Sequence, residues 1–291
     1  LARYDLSLPG SALVAVHVSK TGGTTLDHVL QKGVGGRGLG PGVAQLQPDC
    51  VLEKWMYFAW REMPISERFN YTTCQIVSGE VDAWTLRAWV GEPETTPPGD
   101  RRKHLVTVLR DPYARLLSQF DHNTHWEKAK MAECATLYDV LEPRSRCVAR
   151  LAAAPGNIVD KYRSWQAANV GDAAHLASTF SFFGLTEHFF ASLCLLYYTF
   201  RDAPRFERLC ARGAAGAALV PRKNRKDPRF NYTEAARNDV ALRERCRDTN
   251  AADFALYDAA AALFRARVAA MEAETGISGF LLEEPSGVEG G

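Results

Sequence analysis

The sequence predicts an α/β fold, a parallel sheet flanked by helices with an α-rich second half. Three observations carry that expectation. Short β-branched apolar runs alternate with helix-length segments, as βαβ units require. Glycine and proline clusters punctuate the alternation. Beyond residue 112 the pattern is mostly helical. The 291 residues, 46% hydrophobic and 24% charged, suffice for a sizeable core and exclude a disordered chain. No apolar run is long enough to span a bilayer. With 35 basic against 34 acidic side chains, a globally basic nucleic-acid binder is excluded, but a local anion site is not.

Leu13–Val18 (LVAVHV) is the first strand, read as buried and parallel. Ser19–Gly23 breaks it, Thr24 to Lys32 reads as helix, and Gly33–Gly42 as a loop. Within that loop Gly33-Val-Gly-Gly-Arg-Gly38 satisfies G-x-G-x-x-G, but it follows a helix rather than a strand and is set aside. Cys74–Ser78 is the second strand and Ala83–Val90 a short helix. Gly91–Arg102, with three prolines, is a surface connection. His104–Leu109 is the clearest strand. Asp111 caps the next helix and Pro112 suits its first turn, so helix is expected toward Lys130.

Several short helices are expected over 133–170, a strand at Thr179–Gly184 and a helix at Glu187–Arg201. A basic loop follows at Pro221–Pro228, then helices near Thr233–Arg247 and Asn250–Glu274. One domain is expected over 1–291, with its core at about 11–275 and a tail at 276–291. The start, Leu1-Ala2-Arg3-Tyr4, has neither Met nor a signal-peptide pattern and reads as that of a trimmed catalytic region.

Seven cysteines occur, none in a C-x-x-C pair, which disfavours structural zinc. Cys194, in the apolar run 192–200, reads as a buried core thiol. Cys50, Cys74, Cys134, Cys147, Cys210 and Cys246 lie in more polar surroundings and can pair in an oxidising compartment. Sequons at Asn70 and Asn231 point weakly the same way.

Two constellations carry chemistry. In Lys20-Thr21-Gly22-Gly23-Thr24-Thr25 a strand meets a glycine turn and a helix start, which is the recipe for an anion cradle. Glycines let backbone N–H groups approach a phosphate, the helix N-terminus adds positive potential, threonine hydroxyls donate and Lys20 is a mobile charge. The alternative is an ordinary strand-to-helix turn, and no Walker A pattern is present. In the second, Arg110-Asp-Pro…Ser118, Arg110 stands at the C-terminal end of a strand, where open α/β sheets bind ligands. Ser118 lies on the helix face leading back to it, and a guanidinium with a hydroxyl suits a phosphate monoester. Arg115 reads as an i,i+4 surface partner of Asp111.

These segments resemble the Golgi carbohydrate sulfotransferases that use 3′-phosphoadenosine 5′-phosphosulfate (PAPS). The chain is most similar to the heparan sulfate 6-O enzymes, with the 2-O enzymes more distant. Lys20–Thr25 resembles their 5′-phosphosulfate loop and Arg110…Ser118 their 3′-phosphate motif. Phe182-Phe-Gly-Leu-Thr-Glu187 and Leu256-Tyr-Asp…Leu263-Phe264 match further segments in order, so the resemblance spans about 13–270. It implies a P-loop-like sulfotransferase fold, release of 3′,5′-ADP, no metal, a Golgi-lumen location behind an upstream anchor, and a sugar hydroxyl as acceptor, on a glycan or polysaccharide. Lys20 would stabilise charge on the departing oxygen, and a base would take the acceptor proton.

The relatives place a histidine after the second strand, where this chain has Ser78-Gly-Glu-Val-Asp-Ala-Trp84. Glu80 is therefore assigned as base, with Asp82 the runner-up; a solvated strand-end carboxylate or helix cap is the alternative for Glu80. Arg222 and Lys223, in the basic loop, are assigned to the cofactor, against a plain solvated loop. His122, His125 and Trp126 are assigned to the acceptor, since an aromatic face stacks on sugar and imidazole binds hydroxyl or sulfate. Trp84 and Trp89 read as core, with Trp84, close to Glu80, also an acceptor candidate. Rival readings are a small-molecule alcohol or amine sulfotransferase, a P-loop-like kinase, and a nucleotide- or glycan-binding homologue without catalysis.

Overall fold

The computed structural model describes residues 2–6, 11–22, 26, 76–79, 82–89, 102–154, 158–212, 216 and 238–281. Among these residues four strands, β1 (Ala12–Val16), β2 (Ile76–Gly79), β3 (Lys103–Leu109) and β4 (Phe180–Leu185), form a parallel sheet in the order β2-β1-β3-β4. Every residue of β1 and six of seven in β3 are buried, as continuous apolar strands covered on both faces should be. β1 pairs with β2 on one side and β3 on the other, with Val16 opposite both Gly79 and Thr107. The chain thus steps from β1 to β2 on one side and crosses back to β3 on the other, and the carboxyl ends of β1 and β3 flank the switch point where such sheets bind ligands.

The first described helix, α1 (Ala83–Trp89), follows β2. After β3 comes α2 (Pro112–Trp126), capped by Asp111, whose carboxylate accepts from Ala114 N at 2.8 Å. It ends four residues short of the expected Lys130, because Glu127 leaves helical geometry and the chain tightens into turns. Short helices α3 (Leu137–Leu141), α4 (Arg146–Ala153) and α5 (Trp165–Val170) follow, with a 3-10 turn at Ile158–Tyr162. Helix α6 (Ala173–Thr179) was not expected, although Gly171-Asp172 is a stop and a cap in succession; Asp172 accepts from His175 N at 2.8 Å. β4 leads through a 3-10 turn (Thr186–His188) into α7 (Phe189–Thr199) and α8 (Ala203–Leu209). The described chain closes with α9 (Val240–Thr249) and the 25-residue α10 (Ala251–Thr275).

Two hydrophobic clusters result among the described residues. The larger packs β1, β3 and β4 against α7 and the later turns of α10, through residues such as Phe182, Leu195, Phe264 and Val268. Helix α7 comes in close because Gly184 leaves room. A Cβ there would sit 2.7 Å from that of Ser192, whose hydroxyl accepts from Leu185 N at 2.8 Å. The smaller cluster joins α2, α3, α4 and α9 around Leu116, Tyr162 and Leu242. Helix α10 enters both: Phe254 lies in the small cluster, Leu256 in the large one.

Two cysteine expectations change. Cys194 is buried but not a free thiol; it is bonded to Cys210, tying α7 to the end of α8. Among the described residues the free thiol is Cys246, which is buried; burial pushes it up to about 12, leaving it uncharged and inert. Cys134 and Cys147 form a second disulfide inside the small cluster. Cys50 and Cys74 lie outside the described residues. Among the described residues no helix is long and apolar enough to cross a membrane.

Candidate functional site

β1 runs into the turn Ser19–Gly22 beside the carboxyl end of β3. Lys20 (φ 67°) and Gly22 (φ 84°) both adopt the left-handed region. That conformation is natural for glycine and costly for lysine, so surrounding contacts must hold Lys20 there. They are visible. The Arg110 guanidinium donates from Nη1 to the Lys20 carbonyl at 3.1 Å. The Thr186 hydroxyl sits between the carbonyls of Thr21 and Leu109 and donates to this pair. Ser19 donates to Gln119 Oε1 at 3.0 Å, which lays the middle of α2 against the turn. Leu26 N donates to the Gly22 carbonyl at 3.0 Å, an i→i+4 bond of the helical kind just past the turn.

Lys20, Thr21, Gly22 and Arg110 are therefore brought to one edge of the sheet. Ser118 is half-buried and adjoins Gln119 on α2. Thr21 is buried and its hydroxyl donates inward to the Val18 carbonyl at 2.8 Å, so its means of meeting an anion is the backbone N–H. Gly23, Thr24, Thr25, Glu80, Arg222 and Lys223 lie outside the described residues.

Asp82 caps α1, with Oδ1 accepting from Thr85 N at 2.9 Å and Oδ2 from the Thr85 hydroxyl at 2.8 Å. Both oxygens are engaged locally, which fits a helix cap better than a base. Arg115 corrects the sequence reading. It is not a surface partner of Asp111 but is fully buried, with Nη1 donating to the Lys161 carbonyl at 2.9 Å and Nη2 3.7 Å from Asp253. Burial drives the Asp253 carboxyl up, and the guanidinium and two backbone amides pull against that. Asp111 instead faces Arg243 at 3.6 Å.

His122 and His125 are half-buried and Trp126 is 71% exposed, its indole edge-on to His125 at 4.6 Å. Trp84 is not core: it is 41% exposed and stacks on His175 of α6, centroids 4.9 Å apart. The side chain of Trp89 lies outside the described residues. No group of three or more His, Cys, Asp or Glu side chains that could hold a metal occurs among the described residues.

Sequence reasoning missed four polar residues here. Asp121 on α2 lies within electrostatic reach of both Lys20 and Arg110, and burial pushes its carboxyl up to about 6 against their pull. Gln119, Asn123 and Tyr162 form a buried chain with Ser19: Gln119 Nε2 donates to Asn123 Oδ1 and Asn123 Nδ2 to the Tyr162 hydroxyl, both at 2.9 Å. The signal available was helical spacing, since 119 and 123 share one face of α2, and Gln119 on that face meets Ser19 of the turn after β1. The motif Thr186-Glu187 also gains a role. Glu187 accepts from Asp111 N at 3.0 Å and from the Tyr257 hydroxyl at 2.9 Å, linking β4, the start of α2 and α10.

The chain matches no protein-family model and no curated protein.

Proposed function

We propose that this chain is a PAPS-dependent sulfotransferase that moves a sulfuryl group to a carbohydrate hydroxyl, in the Golgi lumen. One observation carries the reading: the Arg110 guanidinium meets the Lys20 carbonyl at the carboxyl edge of adjacent strands. A cation, an αL glycine turn and a guanidinium within one hydrogen-bonded unit suit a ligand with two separate phosphate groups. The two disulfides are compatible with a lumenal compartment.

PAPS supplies the sulfuryl group and leaves as 3′,5′-ADP. The Gly22 turn would bind the 5′ end through backbone N–H groups, with Gly23, Thr24 and Thr25 continuing it. Arg110 and Ser118 would hold the 3′-phosphate, and Arg222 and Lys223 would cover the nucleotide. Lys20 would neutralise charge on the departing bridging oxygen. Glu80 would accept the acceptor proton, and His122, His125, Trp126 and Trp84 would contact the sugar. In such a loose, in-line displacement, positioning and charge stabilisation do most of the work.

Thermal shift with 3′,5′-ADP tests the cofactor, and labelled-sulfate transfer from PAPS to a panel of sugars and small alcohols tests the acceptor. Stabilisation without Mg²⁺ is expected. No stabilisation overturns the reading, and strict Mg²⁺ dependence turns it toward a kinase. Glu80→Gln should abolish transfer and keep 3′,5′-ADP binding.

A further inference from the structure

Gln166 belongs to none of the motifs above, yet it holds the residue on which the 3′-phosphate assignment rests. Its side chain is fully buried. Nε2 donates to the Arg110 carbonyl and Oε1 accepts from Arg110 N–H, each at 2.9 Å. Arg110 is the first residue past β3, where strand pairing stops with Leu109 opposite Leu185. Both its backbone groups would otherwise lose their ladder partners. One primary amide replaces the missing strand, since it presents a donor and an acceptor side by side.

The amide is itself fixed from behind. Gln166 is the second residue of α5, whose preceding Ser164 makes no side-chain cap. The cap comes from α10: Asp253 Oδ2 accepts from Gln166 N at 3.2 Å and Oδ1 from Ala167 N at 2.8 Å. Asp253 is held in turn by Arg115 at 3.7 Å. A buried route thus runs from α10 through α5 to the backbone of Arg110, and it ends 3.1 Å from the Lys20 carbonyl at the guanidinium. Fixing a residue's backbone at N–H and C=O fixes the origin from which its side chain reaches, and a displacement of about 1 Å suffices to weaken a bidentate contact severely.

We propose that Gln166 is a positioning residue that gives this chain its selectivity for a 3′-phosphorylated nucleotide, by clamping the backbone of Arg110. The inference rests on the sulfotransferase reading, which the same experiment checks separately. Calorimetric titration of the full chain with 3′,5′-ADP and with 5′-AMP should show wild-type preference for 3′,5′-ADP. Gln166→Met keeps the length of the side chain and removes both bonds. It should lower that preference about tenfold, with 3′,5′-ADP affinity falling far more than 5′-AMP affinity. In an Arg110→Ala background the same change should cost no further preference.

A general loosening of the fold would weaken both ligands alike. Should Gln166→Met fail to fold, Asp253→Asn, which keeps shape and one acceptor, carries the test with an expected loss of about threefold. A folded variant with wild-type preference, or one that weakens both nucleotides equally, overturns the inference. Wild-type protein that binds 3′,5′-ADP no better than 5′-AMP overturns the underlying reading instead.

Discussion

The two hydrophobic clusters differ in how they are closed. The sheet cluster is built from strands and α7, whose members are apolar on every side; Leu193 through Tyr198 are all buried. The helical cluster has fewer apolar members and encloses Arg115, Gln119 and Asn123 at its margin with the sheet. Where the clusters meet, polar groups replace packing, and it is there that Lys20, Arg110 and Asp121 assemble. A sheet closed by dispersion and hydrophobic burial tolerates no ligand within it. A seam closed by hydrogen bonds offers both anchoring groups and an edge open to a ligand, at the cost of buried charge.

Breaking the seam should have the largest effect. Asp253→Ala leaves Arg115 buried without its carboxylate and removes the cap of α5, so a stability loss of about 3–5 kcal/mol is expected in urea denaturation. Asp253→Asn should cost less. Equal tolerance of both substitutions would mean that the seam is held by packing, and the contrast between clusters would fall.

The disulfides sharpen the contrast next. Cys134–Cys147 closes 13 residues within the helical cluster, and Cys194–Cys210 closes 16 beside the sheet. Loops of this size predict about 3 kcal/mol for each bond by the chain-entropy model. Replacing each pair by serine should give similar losses of free energy. Hydrogen exchange should separate them: loss of the first pair should expose amides of α3 and α4 while β1 and β3 stay protected. Uniform loss of protection would show that the clusters unfold as one.

Acid separates the regions by sign. His104 in β3 is buried against Tyr4, with its ring centroid 4.5 Å away, and burial lowers it to about 4. The unfolded chain takes up that proton first, so stability falls as pH drops from about 6.5 toward 4, by about 3 kcal/mol at the lower limit. His104→Gln should abolish this loss while leaving stability at pH 8 within a fraction of it. A variant as acid-sensitive as wild type would move the effect elsewhere.

What the sequence made legible follows the same division. All four strands are readable because β-branched and aromatic runs are local signals, displaced by only one or two residues. β1 is expected to reach Val18 and stops at Val16, where its pairing ends opposite Gly79 on one side and Thr107 on the other. Lys20 and Arg110 were readable because each follows a strand. The seam was not. Arg115 looked like a neighbour of Asp111 at helical spacing, and nothing local reveals that Asp253 on α10 claims it. Gln166 in Trp-Gln-Ala-Ala carries no motif, and Cys194 in an apolar run resembles any core thiol until Cys210 is seen beside it. Apolar periodicity is written in short windows, whereas polar partnerships join residues far apart in the chain.

Asp121 gives the smallest stability effect and the closest test of the site. Burial raises its carboxyl from the ordinary 3.8 to about 6, so the folded state binds its proton first. Stability contributed by Asp121 therefore rises as pH falls through 6, opposite to His104, and its ionised form is a cost at neutral pH. Asp121→Asn should stabilise the protein at pH 7 by on the order of 1 kcal/mol, after allowance for its half-exposed position, and not at all below pH 3.8. The groups in its field are Lys20, Arg110 and the Tyr162 hydroxyl. An anion bound at the two cations would cancel their pull on Asp121 and raise its carboxyl further, so that binding takes up a proton. Affinity for 3′,5′-ADP should thus increase as pH falls through 6, and Asp121→Asn should bind more tightly at pH 7 with a flat profile. Titrations in two buffers of different ionisation enthalpy measure the proton directly: uptake in the wild type that persists undiminished in the variant would place the linkage on another group.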